Sequence, residues 1–285
     1  MKLSELIIGV MNWGHWGKNL TTKEMALLMN QCVDLGLTSF DHAAIYGGYT
    51  TEAAFGQSFV NSGLRRSDMQ LISKCGIQYP CENSRHFVKH YDYSAQEIIR
   101  SVEQSLTNLH TEYLDVLLFH RPSPLMNLHE IHEALTQLFD SGKVLSFGVS
   151  NFEQSKMDLL RSVVPISFNQ IEFSLIHHEP LTNGVLDYMQ LNHVQPMAWK
   201  PLGAIFSKAD RPLLKQLLSE LAEKYGCTVD ALLLAWIKFH PTKVLPVIGT
   251  TCINRIKNQK NALDVQLELE DWFALYEASM GQKVP

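Results

Sequence analysis

Four side chains of this sequence can do acid–base chemistry together if the fold collects them. Asp41 closes the apolar run "LTSFD", and Tyr46 follows five residues later in "FDHAAIYGGY", just ahead of Gly47 and Gly48. Lys74 closes "MQLISK", and His120 closes "YLDVLLFH". Each alone has an ordinary reading: a strand stop, a surface tyrosine, a lysine whose stem lies on apolar surface, a hydrogen-bonded core histidine. Together they make a proton-delivery site. A buried ammonium is costly unless an anion pairs with it, and Asp41 can be that anion. An ammonium beside Tyr46 favours the phenolate, so the phenol is expected to fall below its ordinary value of about 10 and to become a stronger acid at neutral pH. His120 can orient a carbonyl oxygen and share its developing charge. Such a site protonates an alkoxide as it forms, but no side chain can supply the hydride that makes the alkoxide, so a cofactor is required.

The elements that must carry these residues repeat from end to end. Short apolar runs such as "ELIIGV", "YLDVLLFH", "LSFGVS" and "VLPVIG" alternate with amphipathic stretches such as "TTKEMALLMNQCVDLG" and "SAQEIIRSVEQSLTNL". Runs of four to seven residues without strict polar alternation suit a parallel sheet buried on both faces. Thr21 and Thr22, and Ser94 followed by Glu97, read as helix starts, while Gly36, Gly142 and Gly226 sit where helices should end. Eight strand-then-helix units in 285 residues point to an α/β fold, a closed (β/α)₈ or TIM barrel, with a doubly wound sheet as the alternative. "DWFALYEASMG" reads as an additional C-terminal helix lying across the barrel, and residues 1–285 read as a single domain. The strand ends then converge on one face: Asp41, Lys74, His120, Ser150 with Asn151, Asn169 with Gln170, and Trp199 with Lys200. Two longer connections, residues 76–93 and 172–184, are expected at the same mouth.

Twenty-four basic against 29 acidic residues leave a net charge of -5, which gives no reason to expect nucleic acid or an anionic membrane as a partner. The start, "MKLSELIIGVMNWG", is neither a signal peptide nor a membrane span. Five scattered cysteines without a C-x-x-C pair suit a reducing compartment, so a cytoplasmic location is expected. "LHEIHE" spaces its histidines three apart rather than four, and His177 and His178 are adjacent and splay apart, so no metal site is expected.

The motifs "FDHAAIYGGY", "LISKCG", "YLDVLLFHRP", "GKVLSFGVSNF", "NQIEFS", "PMAWKPLG" and "PVIGTTCINRIKNQ" carry a resemblance, over nearly the whole chain, to the aldo-keto reductases. That resemblance implies NADPH-dependent reduction of an aldehyde or ketone. Tyr46 would be the proton donor, Lys74 would tune it, Asp41 would fix Lys74, and His120 would steer the substrate. It also implies NADP(H) bound in an extended pose, in keeping with the lack of a G-x-G-x-x-G after the first strand. Ser150, Asn151 and Gln170 match the positions that hold the nicotinamide carboxamide, and their side chains complement an amide. Trp199 matches the aromatic stacked on the nicotinamide. Lys200, Pro201, Leu202 and Gly203 match the pyrophosphate loop, with Lys200 in place of a commoner serine. Gly249, Thr250, Thr251 and Arg255 fall on the phosphate segment after strand eight, where a helix start with hydroxyls and an arginine suits an anion. Gly249 departs from the lysine that many relatives carry there, and Gln259 would reach the adenine. Met11, Trp13 and Trp16, following strand one, are expected to wall the substrate pocket, with Phe87 and Tyr91 adding an aromatic mouth. The implied partner is a small carbonyl compound, and a monomer is expected. A nucleotide-sensing regulatory protein on the same fold, like the potassium-channel β subunits, is the rival reading; a barrel lyase or metal-dependent hydrolase is a third.

Overall fold

A computed structural model describes residues 2–206 and 211–285. Its strands are β1 (Ile7–Gly9), β2 (Ser39–Asp41), β3 (Gln70–Cys75), β4 (Ile77–Gln78) and β5 (His90–Tyr91), then β6 (Val116–Phe119), β7 (Phe147–Ser150), β8 (Phe168–Glu172), β9 (Gln195–Trp199) and β10 (Leu245–Ile248). The helices are α1 (Thr22–Asp34), α2 (Thr51–Ser62), α3 (Ala95–Leu109), α4 (Leu128–Asp140) and α5 (Gln154–Arg161), then α6 (Val185–Leu191), α7 (Pro212–Lys224), α8 (Val229–Lys238), α9 (Ile253–Lys260) and α10 (Leu269–Met280). Eight strands close a parallel barrel in the order β1-β10-β9-β8-β7-β6-β3-β2, the architecture expected from the alternating runs. Strands β4 and β5 form a separate antiparallel hairpin within the connection after β3.

The pleat places the candidate site. Side chains two apart on a strand share a face. Ile72, Leu118, Phe168, Met197 and Val247 point into the barrel and fill it with Ile7 and Val116. Two residues further along stand Lys74, His120, Gln170, Trp199 and Gly249, one layer nearer the C-terminal rim. The register staggers that layer from strand to strand: Lys74 lies opposite Leu118 and Gln170 opposite Met197, while Ser150 lies opposite Gln170. The intervening residues Phe40, Leu71, Leu117, Phe119 and Val149 face outwards into the larger core shared with the helices.

Two helices, α7 and α8, separate β9 from β10, where the sequence pattern read one helical segment. Helix α8 takes the place against β10, and α7 stands outside it beside α10. The additional C-terminal helix α10 lies on the outer layer, against α7 and α8. Its Trp272 stacks on Trp236 of α8 at 4.8 Å and 3°. The two indoles also exchange bonds: Trp236 Nε1 donates to Trp272 O (3.1 Å), and Trp272 Nε1 to Trp236 O (3.0 Å).

The helix starts divide. Thr21 and Glu24 make a reciprocal capping box. Ser94 begins α3 without a side-chain cap; Asp92 Oδ1 accepts the Ser94 N–H and Glu130 Oε2 accepts that of Ala95, which leaves Glu97 to pair with Arg100.

Trp236 is wholly buried, so Trp236→Ala removes the ring stack and the bond from Trp236 Nε1 to Trp272 O, and leaves only the backbone carbonyl at position 236 to accept from Trp272 Nε1. We expect the unfolding free energy to fall by about 3–5 kcal/mol, read as a lower urea midpoint with little change in slope.

Candidate active site

Lys74 Nζ is the centre of the site. It lies 2.7 Å from each carboxylate oxygen of Asp41, 2.8 Å from His42 O and 3.2 Å from Tyr46 OH. The lysine and aspartate side chains are only 1% and 3% exposed, so the pair must satisfy itself inside the protein. Gln170 adds a bond from Nε2 to Asp41 Oδ1 (3.0 Å). Beyond β2 the chain keeps following β3: His42 N donates to Ile72 O and Ala44 N to Lys74 O. A tight turn then holds Tyr46 in place. Gly47, at φ +61°, passes so close to Thr51 that a Cβ would meet Thr51 Oγ1 at 2.5 Å.

Burial pushes the Tyr46 phenol up, and Asp41 adds to the rise; Lys74 and Arg121 pull it down without reversing it. The direction is opposite to the one expected from the sequence, because desolvation outweighs the ammonium. The phenol therefore holds its proton throughout the neutral range. Burial pulls the Lys74 ammonium down, but Asp41 and Tyr46 carry it up overall, so it stays charged. His120 is held well below the ordinary histidine value, first by burial and then by Lys74, Arg121 and Lys89. It is neutral, and its ring meets that of Tyr46 edge-on at 6.1 Å.

A second network follows the strand ends. Arg121 Nη1 donates to His120 O (2.9 Å) and Ser150 Oγ (3.2 Å), and Ser150 Oγ donates to Gln170 O (2.9 Å). Asn151, held at φ 58°, donates from Nδ2 to Ser150 Oγ and accepts from Trp199 Nε1 at 2.9 Å. Lys200, at φ 51°, carries its ammonium 5.3 Å over the Trp199 ring and 3.5 Å from Glu172 Oε1. Left-handed backbone at non-glycine residues costs about 1–3 kcal/mol and gathers at sites that need a particular side-chain direction.

A cavity of about 840 Å³ runs over this face. Tyr46, His120 and Gln170 line one end, with Trp199 and the Lys200–Pro201–Leu202–Gly203 turn along the side. Gly249, Thr250, Thr251, Arg255 and Gln259 line the far end. Gly203, at φ +56°, lies against Ile176, where a Cβ would meet Cγ1 at 2.4 Å. Gln259 Nε2 donates to Asp230 Oδ2, while its buried Oε1 has no partner among the described residues. Lys74, Ser150 and Asn151 stand behind the lining residues.

The substrate-wall expectations divide. Met11 and Trp16 line the cavity, and the Trp16 ring lies 6.2 Å from that of Tyr46. Trp13 does not: it is fully buried against Phe40 and Phe55, each 6.1 Å away, because the chain after β1 turns it into the layer between barrel and helices. Phe87 is 96% exposed at the hairpin end and lines nothing, and Tyr91 is also outside the lining. Residues 172–184 are not in the lining but back it, with Ile176 against Gly203 and Glu172 beside Lys200, and they also meet α10, Ser279 Oγ donating to Leu175 O (2.6 Å). Residues absent from the sequence reading complete the wall: Asn12, Lys18, Ile45, Ile77, Lys89 and Arg121. The signal that could have found Arg121 is its place in "FHRP", directly after the strand-end histidine.

A parallel barrel with a buried acid–base cluster and a long cavity over its strand ends is the architecture of a barrel enzyme. The chain belongs to the aldo/keto reductase family, whose family model matches residues 5–279. It is 38% identical over 293 residues to "Uncharacterized oxidoreductase YcsN" of Bacillus subtilis, covering 100% of this chain and 97% of that protein. It is 37% identical over 289 residues to a 6-dehydroglucose reductase of Agrobacterium fabrum, covering 100% of this chain and 97% of the relative. Among solved structures, an aldo/keto reductase from Klebsiella pneumoniae in complex with NADP and acetate superposes with a TM-score of 0.80 at 26% identity, covering 96% of this chain and 90% of that one. Among the described residues no helix is long and apolar enough to cross a membrane.

Beside the site, His42 is fully buried with neither ring nitrogen partnered among the described residues, and burial followed by Lys74 lowers it to about 3. Unfolding raises it to the ordinary value near 6.5, so between these values the unfolded chain binds the extra proton and stability falls as pH falls. From pH 6.5 to 4.5 His42 alone contributes a loss on the order of 2–3 kcal/mol. Urea titrations across that range should show the slope, and His42→Leu should reduce it by about that amount, leaving the part of the same sign that His120 supplies.

Proposed function

We propose that the chain reduces an aldehyde or ketone to an alcohol with NADPH, Tyr46 giving the proton. The observation that carries this reading is the buried bridge from Asp41 through Lys74 Nζ to Tyr46 OH at 3.2 Å, at the wall of the cavity. A reduced nicotinamide, when bound, supplies the hydride.

The residues present fit that cofactor. The cavity is lined by Trp199 at the level of Tyr46 and by hydroxyls, backbone and Arg255 around the start of α9. Such a helix start favours phosphate oxygens. The unpartnered Gln259 Oε1 is a buried acceptor at the same end, suited to an exocyclic amine. Gln170, on the cavity wall, would meet the carboxamide first, with Ser150 and Asn151 just behind it completing the hold. The Lys200–Gly203 turn would hold the pyrophosphate, and Arg255 with Thr250 and Thr251 the 2′-phosphate. The NADP named in the Klebsiella pneumoniae complex supports the same choice.

On this reading the protein's own groups act as follows. Neutral His120 and the Tyr46 hydroxyl bind the carbonyl oxygen and stabilise its growing negative charge. Tyr46 transfers its proton to that oxygen, and the fixed Lys74 ammonium stabilises the phenolate left behind. Asp41 keeps Lys74 charged and aimed at the phenol. Trp16 and Ile45 exclude water from one wall. Residues 1–285 act as one domain, and free cysteines, two of them buried, fit a reducing cytoplasm.

Tyr46→Phe should lower kcat/KM for 4-nitrobenzaldehyde by about 10²–10⁴-fold while NADPH fluorescence titration still shows binding. Near-normal reduction by the variant would remove the phenol from the mechanism. Because His120 is already neutral and Tyr46 still protonated, reduction should be flat from about pH 6 to 8 and decline only as the phenol ionises above about 10. Fluorescence titration should favour NADPH over NADH, and Arg255→Ala should narrow the gap.

A further inference from the structure

The charges lining the cavity are lopsided. Lys18, Lys89, Arg121, Lys200 and Arg255 all contribute, and among the described lining residues the one acid is Asp41. Asp41 is already neutralised by Lys74. A chain of net charge -5 has therefore built an electropositive cleft, which calls for an anionic occupant.

On the reading above, the nucleotide phosphates account for Arg255 and Lys200. They do not account for Arg121 and Lys89, which belong to the Tyr46–His120 end. Arg121 follows His120 directly, and the charges of both Arg121 and Lys89 reach the His120 imidazole. Arg121 is also firmly mounted. The buried Tyr93 donates its hydroxyl to Arg121 O (2.6 Å) and accepts from Arg121 N (3.3 Å), and its ring packs on Phe119 at 4.3 Å. The side chain is half-buried, with Nη1 tied to His120 O and Ser150 Oγ. Among the described residues, Nε and Nη2 make no hydrogen bond and no carboxylate lies within ion-pair distance of the guanidinium. A half-buried cation with a rigid fork of free donors and no counter-ion is a receptor for a carboxylate.

We propose that the carbonyl substrate carries a carboxylate, received by the free edge of Arg121 and drawn in by Lys89 at the rim. This rests on the reductase reading and adds the substrate class. Arg121 is then a specificity-determining residue: it fixes the far end of the substrate so that the carbonyl is delivered to Tyr46 and His120. A neutral substrate leaves that charge uncompensated.

The test compares 4-carboxybenzaldehyde with methyl 4-formylbenzoate, which share ring and aldehyde and differ in charge. The ester is intrinsically the more electrophilic, so reactivity alone does not favour the acid. With NADPH, the wild type should prefer the acid in kcat/KM by at least about tenfold, the worth of a charge-assisted hydrogen-bond pair. Arg121→Met should bring the acid-to-ester ratio close to one. Lys89→Met should lower it by about threefold, and added salt should shrink that smaller part. Because the readout is a ratio, a general loss of activity in a variant does not mimic the result. Calorimetric titration of 4-(hydroxymethyl)benzoate into NADP⁺-loaded protein supplies a readout without turnover. A wild-type ratio near one, or a ratio undiminished in Arg121→Met, overturns the proposal. Arg121-dependent binding of the carboxylate without turnover of either aldehyde overturns the reductase reading and upholds the anion site. Neither binding nor turnover overturns both.

Discussion

An ammonium locked inside the barrel by a carboxylate is the constraint on which this molecule turns. Lys74 and Asp41 are almost wholly removed from water, and neither could stay charged there without the other. Their pairing requires β2 and β3 to be neighbours and their side chains to share the inner face. It uses the ammonium's other donor positions on His42 O and Tyr46 OH, and it draws Gln170 across from the far wall. Gln170 stands on the strand opposite Asp41, four strands away in either direction round the barrel, yet the two side chains touch at the centre. Closing the barrel and assembling the site are therefore one event.

The same pleat that fills the interior with Ile72, Leu118, Phe168 and Met197 presents the polar layer two residues later. Hydrophobic packing thus acts as the positioning device. Any slip of one residue in β3 would turn Lys74 outwards and a core residue inwards, at the cost of both layers. The phenol lies past the end of its strand and needs separate fixing, which comes from the continued pairing of residues 42–44 with β3 and the turn at Gly47. His120, by contrast, requires nothing beyond its place one step past β6.

Much of this was readable from residue order because strand ends in a parallel barrel all point to one rim. Asp41, Lys74, His120, Gln170 and Trp199 could be named from an apolar run followed by a chemically active residue. What escaped was whatever depends on burial or on direction around a turn. The sign of the Tyr46 shift needed the balance between desolvation and the ammonium, and sequence shows the ammonium alone. Trp13 and Trp16 look alike in "NWGHWG", but the turn after β1 sends one into the core and the other to the cavity. The extra helix before α8 escaped because α7 and α8 are both amphipathic segments within one long connection. Arg121 escaped because an arginine in a loop usually reaches water, and only its contacts with Tyr93, His120 and Ser150 reveal that it is held in place.

The connection from Gly76 to Tyr93 leaves and rejoins the barrel at almost one point, since Asp92 N bonds to Gly76 O at 2.9 Å. Its own hairpin folds back on itself and is tied to the site through Gln78 to Glu97, Tyr79 N to Tyr49 OH, Asn83 to Gly48 and the edge contact of Tyr79 with Trp16. It brings Ile77 and Lys89 to the cavity. A segment with adjacent ends is a natural cassette: it can be exchanged, shortened or grafted between relatives while the barrel beneath keeps its register. Ligand preference in this lineage can therefore drift by loop replacement, leaving the proton-handling residues untouched.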